Sequence, residues 1–385
     1  MRHLLLLLAV APLGACSGGA SPTERAEPTF LEVTLVDGET GSAEAPLPFS
    51  AELQSRTVRV TALDVNGDPV DFSGDLTLDV RPGRLEMSPW ATVTGGTWEG
   101  EVLFRNGFGP TRIWFSDLGD KDIESARVPG YATGVSEELW FELPTLAEMN
   151  NIDDHETNQL EGEFAELRAA DRDLRVIAVG PAGYWVTDMA DPPGSYNYLF
   201  VYTFSRPDPP VEVGSRITLL TGSTQEYLAT TQISFPHYDV GDDPIADVPE
   251  PEVIPASRCE DNDWLEGWES AVVTLEDVRV PASFVQGSED YLDYLEYGQW
   301  PVLPSGEDRC TFFVNTSVSV PDYAPQAGAE LTSVTGTLSE VWGRWILNPR
   351  GAEDLTIGAG GPPPLPGTGP AQPRPRPRPQ RDPYP

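Results

Sequence analysis

Short runs of alternating apolar and polar residues recur along this chain. The first series is Leu31-Glu-Val-Thr-Leu, Thr57-Val-Arg-Val-Thr-Ala-Leu, Asp75-Leu-Thr-Leu-Asp-Val, Glu101-Val-Leu-Phe and Thr111-Arg-Ile-Trp-Phe. A period of two sends successive side chains to opposite faces of a strand, so each run predicts a strand with one face in a core. Asn66-Gly67-Asp68, Pro82-Gly83 and Asn106-Gly107 separate the runs with turn chemistry. The spacing reads as an all-β sandwich over 29–144. Residues 145–172 change character. Thr145-Leu-Ala-Glu-Met-Asn-Asn-Ile-Asp-Asp-His-Glu and Leu160-Glu-Gly-Glu-Phe-Ala-Glu-Leu are acidic and weakly helical, an acidic linker or short helix.

Beyond that segment the chain repeats itself. Val213-Gly-Ser-Arg-Ile-Thr-Leu-Leu-Thr-Gly aligns without gaps to Ala327-Gly-Ala-Glu-Leu-Thr-Ser-Val-Thr-Gly, and the register continues through Glu226 and Glu340. Leu199-Phe-Val-Tyr and Thr311-Phe-Phe-Val lie upstream of the two copies. A period this long predicts duplicated domains, 173–253 and 254–357, rather than a solenoid. The Pro- and Arg-rich stretch 358–385 cannot bury a core and reads as a disordered, polyproline-type tail.

Two resemblances give these units a fold. Val60-Thr-Ala-Leu-Asp-Val-Asn-Gly-Asp-Pro-Val, Gly95-Gly-Thr-Trp-Glu-Gly and Gly107-Phe-Gly-Pro-Thr resemble bacterial immunoglobulin-like repeats of exported proteins. Val176-Ile-Ala-Val, Gly183-Tyr-Trp-Val-Thr-Asp, Leu199-Phe-Val-Tyr, Val213-Gly-Ser-Arg-Ile-Thr, Gly222-Ser-Thr-Gln-Glu-Tyr and Thr231-Gln-Ile resemble the OB-fold barrel that accompanies secreted nucleases of the endonuclease/exonuclease/phosphatase superfamily. From Glu269-Ser-Ala-Val-Val-Thr-Leu to Asn348-Pro-Arg-Gly-Ala-Glu-Asp-Leu the second copy is similar to the closing half of such modules. The resemblances imply an immunoglobulin-like sandwich followed by two OB-like barrels. In those nucleases a separate catalytic domain follows the barrel; only the low-complexity tail follows here. Fold alone does not assign function.

The N-terminal pattern supplies an address. Arg2 and His3 precede the apolar run Leu4 to Leu13, which is too short to span a bilayer as a helix and reads as a signal peptide over 1–15. Leu13-Gly14-Ala15-Cys16 resembles a bacterial lipobox, which implies cleavage after Ala15 and lipidation of Cys16. The alternative is an ordinary signal peptide followed by a chance cysteine. Residues 16–28 read as a tether. Ser17 in place of Asp resembles the sorting pattern of the outer membrane, so the expected site is the cell envelope, lipid-anchored, on its periplasmic or surface face. Cys259 and Cys310 then form an even pair, read as a disulfide in an exported chain, with two free buried thiols as the alternative.

Charge narrows the partners. Asp and Glu number 61 against 24 Lys and Arg, a formal net charge of −37 over 385 residues. A surface of that sign repels nucleic-acid phosphates and disfavours polyanion binding. Of the three histidines, His3 lies in the leader, His155 in the linker and His237 in a presumed loop; none has a partner at zinc-ligand spacing. No nucleophile elbow or phosphate loop occurs, so the expected protein is non-enzymatic, with no cofactor implied. Asp64, Asn66 and Asp68 resemble a calcium loop only superficially and read as a turn. The acidic stretch 239–263 has the oxygen density for calcium but matches no ligand spacing, and its prolines favour a solvated linker.

One constellation points to ligand chemistry. Tyr196, Tyr198, Phe200, Tyr202 and Phe204 alternate with Asn197, Leu199, Val201 and Thr203. With Leu199 and Val201 in a barrel core, the rings would form an outward ladder able to stack bases or sugars. Alternatively the ladder packs against a neighbouring domain. The expected protein is an envelope binding or scaffolding module for a glycan or a protein; the rival is an accessory subunit of an exported nuclease or metal-assisted hydrolase.

Overall fold

The computed structural model describes residues 29–117, 132–150, 152–154, 157–158, 160–168, 172–304 and 310–357. Cys16, His3, His155 and the tail 358–385 lie outside them. The fold is all-β, and each of the alternating runs of the N-terminal unit forms a strand.

The N-terminal unit is a two-sheet sandwich. Its strands are β1 (Phe30–Leu35), β2 (Gln54–Leu63), β3 (Gly74–Arg81), β4 (Arg84–Leu85), β5 (Trp90–Val93), β6 (Thr97–Arg105), β7 (Gly109–Asp117), β8 (Thr133–Val135) and β9 (Leu139–Phe141). One sheet runs β1-β2-β6-β4; the other runs β5-β3-β7-β8, with β9 also paired to β7. Val58, Val60, Leu76, Leu78, Val102 and Phe104 fill the space between them. The Asp64 carboxylate accepts the Asn66 and Asp68 N–H groups at 2.8 and 2.9 Å, which makes this stretch the expected tight turn.

The segment 145–172, read as an acidic linker or short helix, holds a short helix and, beyond that reading, strands packed on the first barrel. Helix α1 (Leu146–Asn150) is followed by the two-stranded pair β10 (Ile152–Asp154) and β11 (Thr157–Asn158), then by β12 (Phe164–Arg168). Leu146, Met149, Leu160, Ala165 and Leu167 are all in the core of the first barrel. The acidic density hid a period of two: Ala165 and Leu167 turn inward while Phe164 and Glu166 do not.

The first barrel comprises β13 (Leu174–Val179), β14 (Gly183–Asp188), β15 (Tyr198–Tyr202), β16 (Arg216–Tyr227) and β17 (Thr230–Val240). Strand β13 pairs with β14 and β16, β14 with β15, β15 runs parallel to β17, and β17 closes on β16. This is the strand order of an OB barrel. Strand β12 extends it at the β16 edge. His237, expected in a loop, lies on β17 opposite Thr221.

The second barrel follows the short strand β18 (Glu252–Val253) and helix α2 (Asn262–Glu266). Its elements are β19 (Val272–Arg279), α3 (Glu289–Tyr297), β20 (Gln299–Pro304), β21 (Phe312–Asn315), β22 (Glu330–Glu340), β23 (Trp345–Asn348) and β24 (Leu355–Ile357). Strand β19 pairs with β20 and β22, β20 with β21, β21 runs parallel to β23, and β23 closes on β22. The second copy is therefore a whole barrel, where the sequence resemblance reached only a closing half. The repeated segments fall on β16 and β22, the fourth strand of each barrel.

The barrels share packing. A bulge between Val176 and Ala178 turns Ile177 and Ala178 away from the first core, and with Tyr198 they join the apolar cluster of the second barrel. Carboxyl groups lie beside this contact. Glu266, Glu269 and Glu340 are buried to 3, 1 and 4 % exposure. The Thr231 N–H donates to Glu269 Oε2 at 3.0 Å, and the Thr231 hydroxyl donates to Glu226 Oε2 at 2.8 Å. Glu226 and Glu340, the repeat-related pair, thus face the same acidic group from opposite barrels. Desolvation raises both Glu266 and Glu269 above the ordinary glutamate value, reinforced at Glu266 by Glu269, Glu340 and Glu226 and at Glu269 by Glu226 and Glu340, and a hydrogen bond joins Glu266 to Glu340.

Two outcomes follow. Cys259 and Cys310 stand at disulfide distance, with Cα atoms 5.8 Å apart and a separation of 51 positions in sequence. Alkylation without reduction should label neither, and replacing both with Ser should destabilise the protein by ~2–4 kcal/mol in chemical denaturation. For Glu266 and Glu269 the folded protein binds the proton more tightly than the unfolded chain. Stability from this contact is full below pH 4.5 and falls as pH rises toward about 10. In a melting series across that window, Glu266→Gln, which mimics the protonated acid, should flatten the decline by up to about 1.4 kcal/mol per pH unit. An unchanged slope would show that Glu266 is ionised in the fold.

Candidate functional site

The aromatic run 196–204 divides at Tyr198. Leu199 and Val201 are fully buried in the first barrel, so the intervening rings face outward as the alternation requires. Tyr196 and Tyr198 turn toward the second barrel. The Tyr196 N–H donates to the Gly267 carbonyl at 3.0 Å, and the Tyr198 ring stacks on Trp268 at 5.9 Å. Burial raises both hydroxyls above their usual value, with Glu266 and Asp263 adding to the effect on Tyr196. These two rings serve the domain contact.

Phe200, Tyr202 and Phe204 remain open and are joined by rings outside the run. Trp185 on β14 stacks on Phe200 at 4.6 Å. Phe200 meets Tyr202 at 6.1 Å, Tyr202 meets Phe204 at 4.4 Å, and Phe204 meets Phe235 of β17 at 5.0 Å. Phe204 and Phe235 are exposed by 53 and 69 %. Both hold left-handed backbone, φ 63° and 51°, a region in which a bulky non-glycine residue is uncommon. Phe235 owes this to the β17 bulge, where the register jumps between Ser234 and His237. Five rings thus make a continuous aromatic track across strands two, three and five of the barrel.

At its inner end the track enters a cleft of about 740 Å³ between the barrels. Trp185 and Phe200 line one side, with Gly180 and Pro181 of the β13–β14 loop and Tyr227 at the β16–β17 turn. The opposite wall comes from the second barrel: Thr337 and Ser339 of β22, Asn348 of β23, and Ser319 after β21. Two bonds tie the walls together, the Thr230 hydroxyl donating to the Glu340 carbonyl at 2.7 Å and the Trp342 N–H to the Leu228 carbonyl at 3.3 Å. A face that is open on a lone barrel is thereby roofed by its duplicate.

The electrostatics of the cleft differ from those of the whole chain. No lining residue is Asp or Glu, and the charged ones are Arg206 and Arg350. Arg350 is held in a two-pronged bond by Asp354 at 2.8 and 2.9 Å, which leaves Arg206, also exposed, as the lining charge without a carboxylate partner among the described residues. The Thr337 hydroxyl, on a residue 1 % exposed, and the Ser319 hydroxyl make no hydrogen bond among the described residues. A buried polar atom left without a partner costs roughly 1–3 kcal/mol, so a bound polar group that reached either hydroxyl would be favoured.

Of the other sequence candidates, Asp243 pairs with Arg216 at 3.1 Å, and Asp261 caps α2 and pairs with Arg258. Both are spent on local structure. Among the described residues no group of three or more His, Cys, Asp or Glu is arranged to hold a metal ion. Sequence reasoning missed Trp185, Tyr227, Phe235, Thr337 and Ser319. Trp185 had a signal, the Gly183-Tyr-Trp alternation beside Phe200; Phe235 had none, because a bulge places it. No protein-family model matches the chain, and no curated protein matches it.

Proposed function

We propose that this chain is a non-enzymatic lipoprotein of the bacterial envelope, anchored through Cys16, that binds a glycan or protein ligand in the cleft between its two barrels. The observation that carries this reading is the carboxylate-free, aromatic-floored cleft in a chain of net charge −37. Evenly spread acidity would have put several carboxylates among the lining residues. The cleft also occupies the face and loops by which OB barrels take up their ligands. In sequence, residues 16–28 and the sandwich stand between the anchor and that cleft. The competing reading, an accessory of an exported nuclease or metal-assisted hydrolase, rests on the sequence resemblance alone.

Two experiments test this function. Titration of envelope-derived glycan and peptide libraries should change the emission of Trp185. Phe200→Ala or Tyr227→Ala should weaken the response about tenfold or more while melting temperature is kept in the exposed Tyr227 variant. Hydrolysis of nucleic acid or phosphate esters by the purified protein with added Mg²⁺ or Mn²⁺ would favour the competing reading. For the anchor, Cys16→Ser should move the protein from the detergent phase to the aqueous phase and abolish the lipidated mature mass. Unchanged partition would overturn lipidation at Cys16.

A further inference from the structure

The geometry points to a linear, uncharged oligosaccharide as the occupant of the inter-barrel cleft, its end seated between the barrels and its chain running out along the five-ring track. This inference rests on the binding reading above and adds the ligand's chemistry and direction.

The cleft and the track supply the two contacts a sugar chain requires. Its pyranose rings present flat C–H faces, which pack on aromatic rings, and an equatorial belt of hydroxyls, which demand neutral donors and acceptors. Trp185, Phe200, Tyr202, Phe204 and Phe235 provide the first, at steps of 4.6, 6.1, 4.4 and 5.0 Å. Trp185 and Phe200 stack on each other and so offer a shared outer surface, and the tilted rings of Tyr202, Phe204 and Phe235 carry the apolar surface outward along a sugar chain. The second is at the inner end, where the unpartnered Thr337 and Ser319 hydroxyls line the wall facing Trp185 and Phe200. Asn348, which donates to the Thr337 carbonyl and the Ser339 hydroxyl at 3.2 and 3.1 Å, shows that this wall is built of neutral polar groups.

Charge separates this ligand from the alternatives. A polyanionic strand would stack on the same rings, but it would have to approach a body of net charge −37 with Arg206, among the described residues, the one lining cation not paired to a carboxylate. A cationic peptide would find no carboxylate in the cleft to receive it. A neutral polyol meets neither cost. Direction follows from closure: the Thr230–Glu340 and Leu228–Trp342 bonds shut the barrel contact behind the cleft, whereas the track leaves it through Tyr202 to the exposed pair Phe204 and Phe235.

Calorimetric titration of the full chain with cello-, chito- and malto-oligosaccharide series, from the disaccharide upward, tests the assignment, with a polyproline peptide and a single-stranded oligonucleotide alongside. In at least one series affinity should rise with length. The exposed double variant Phe204→Ala/Phe235→Ala should remove that rise while leaving disaccharide affinity in place. Thr337→Val, nearly the same shape without the hydroxyl, should lower affinity about fivefold at every length with no loss in melting temperature. Saccharide binding indifferent to both variants would overturn the assignment. Binding of the peptide or the oligonucleotide instead, lost in Phe200→Ala, would keep the cleft as the site and overturn the ligand class. Silence of every probe, together with no response to envelope libraries, would remove the binding reading itself.

Discussion

The contact between the two barrels is the constraint on which the rest of the molecule depends. Apolar side chains from the outer face of the first barrel complete the core of the second, so the second barrel does not close its own hydrophobic cluster. Burying Ile177, Ala178 and Tyr198 fixes where the barrels touch, and the desolvated carboxyls beside them fix how. Glu266 and Glu269, at 3 and 1 % exposure, lose much of the hydration that would keep them charged, which favours their protonated forms. Such a contact is selective, because a displaced register would leave a carboxylate buried without its hydrogen bonds.

Strand β15 shows how one run of residues serves two purposes. Its inward residues, Leu199 and Val201, are spent on the barrel core. Of the outward ring-bearing residues, the first meets the second barrel through Trp268, and the later ones are left to solvent and the cleft. The aromatic alternation continues past the strand because Phe204 takes up left-handed backbone, which keeps its ring beside Tyr202 instead of turning it back under the barrel.

Much of this architecture was legible in the amino-acid order. Strands β1, β2, β3, β6 and β7 follow runs with a clear period of two, and the repeated segments landed on the same strand of each barrel. Strand β12 was not legible, since Glu161, Glu163 and Glu166 outweigh the buried Ala165 and Leu167 in any reading by composition. The site was half legible. Alternation marks Phe200 and Tyr202 as outward, but no local pattern tells that Tyr198 meets a second domain. Glu226 and Glu340 were visible as a repeat pair; that both approach one buried acid depends on the packing of two units distant in sequence. Bulges are equally silent, and one of them delivers Phe235 to the track.

The equivalence of β16 and β22 bears on how such a cleft arises. One copy contributes the floor and the other a wall, through different faces of the same architecture. Before the second unit joined the first there was no enclosed volume, only a shallow surface with aromatic rings. After the union the copies were under different demands. In the second barrel helix α3 follows β19 and brings Tyr294 to the Tyr323 carbonyl, while Tyr323 stacks on the fully buried Trp300 of β20. That barrel has become furniture for its twin. Duplication here did not double a site; it turned a surface into an interior, and the two halves of the repeat are now legible as host and lid rather than as copies.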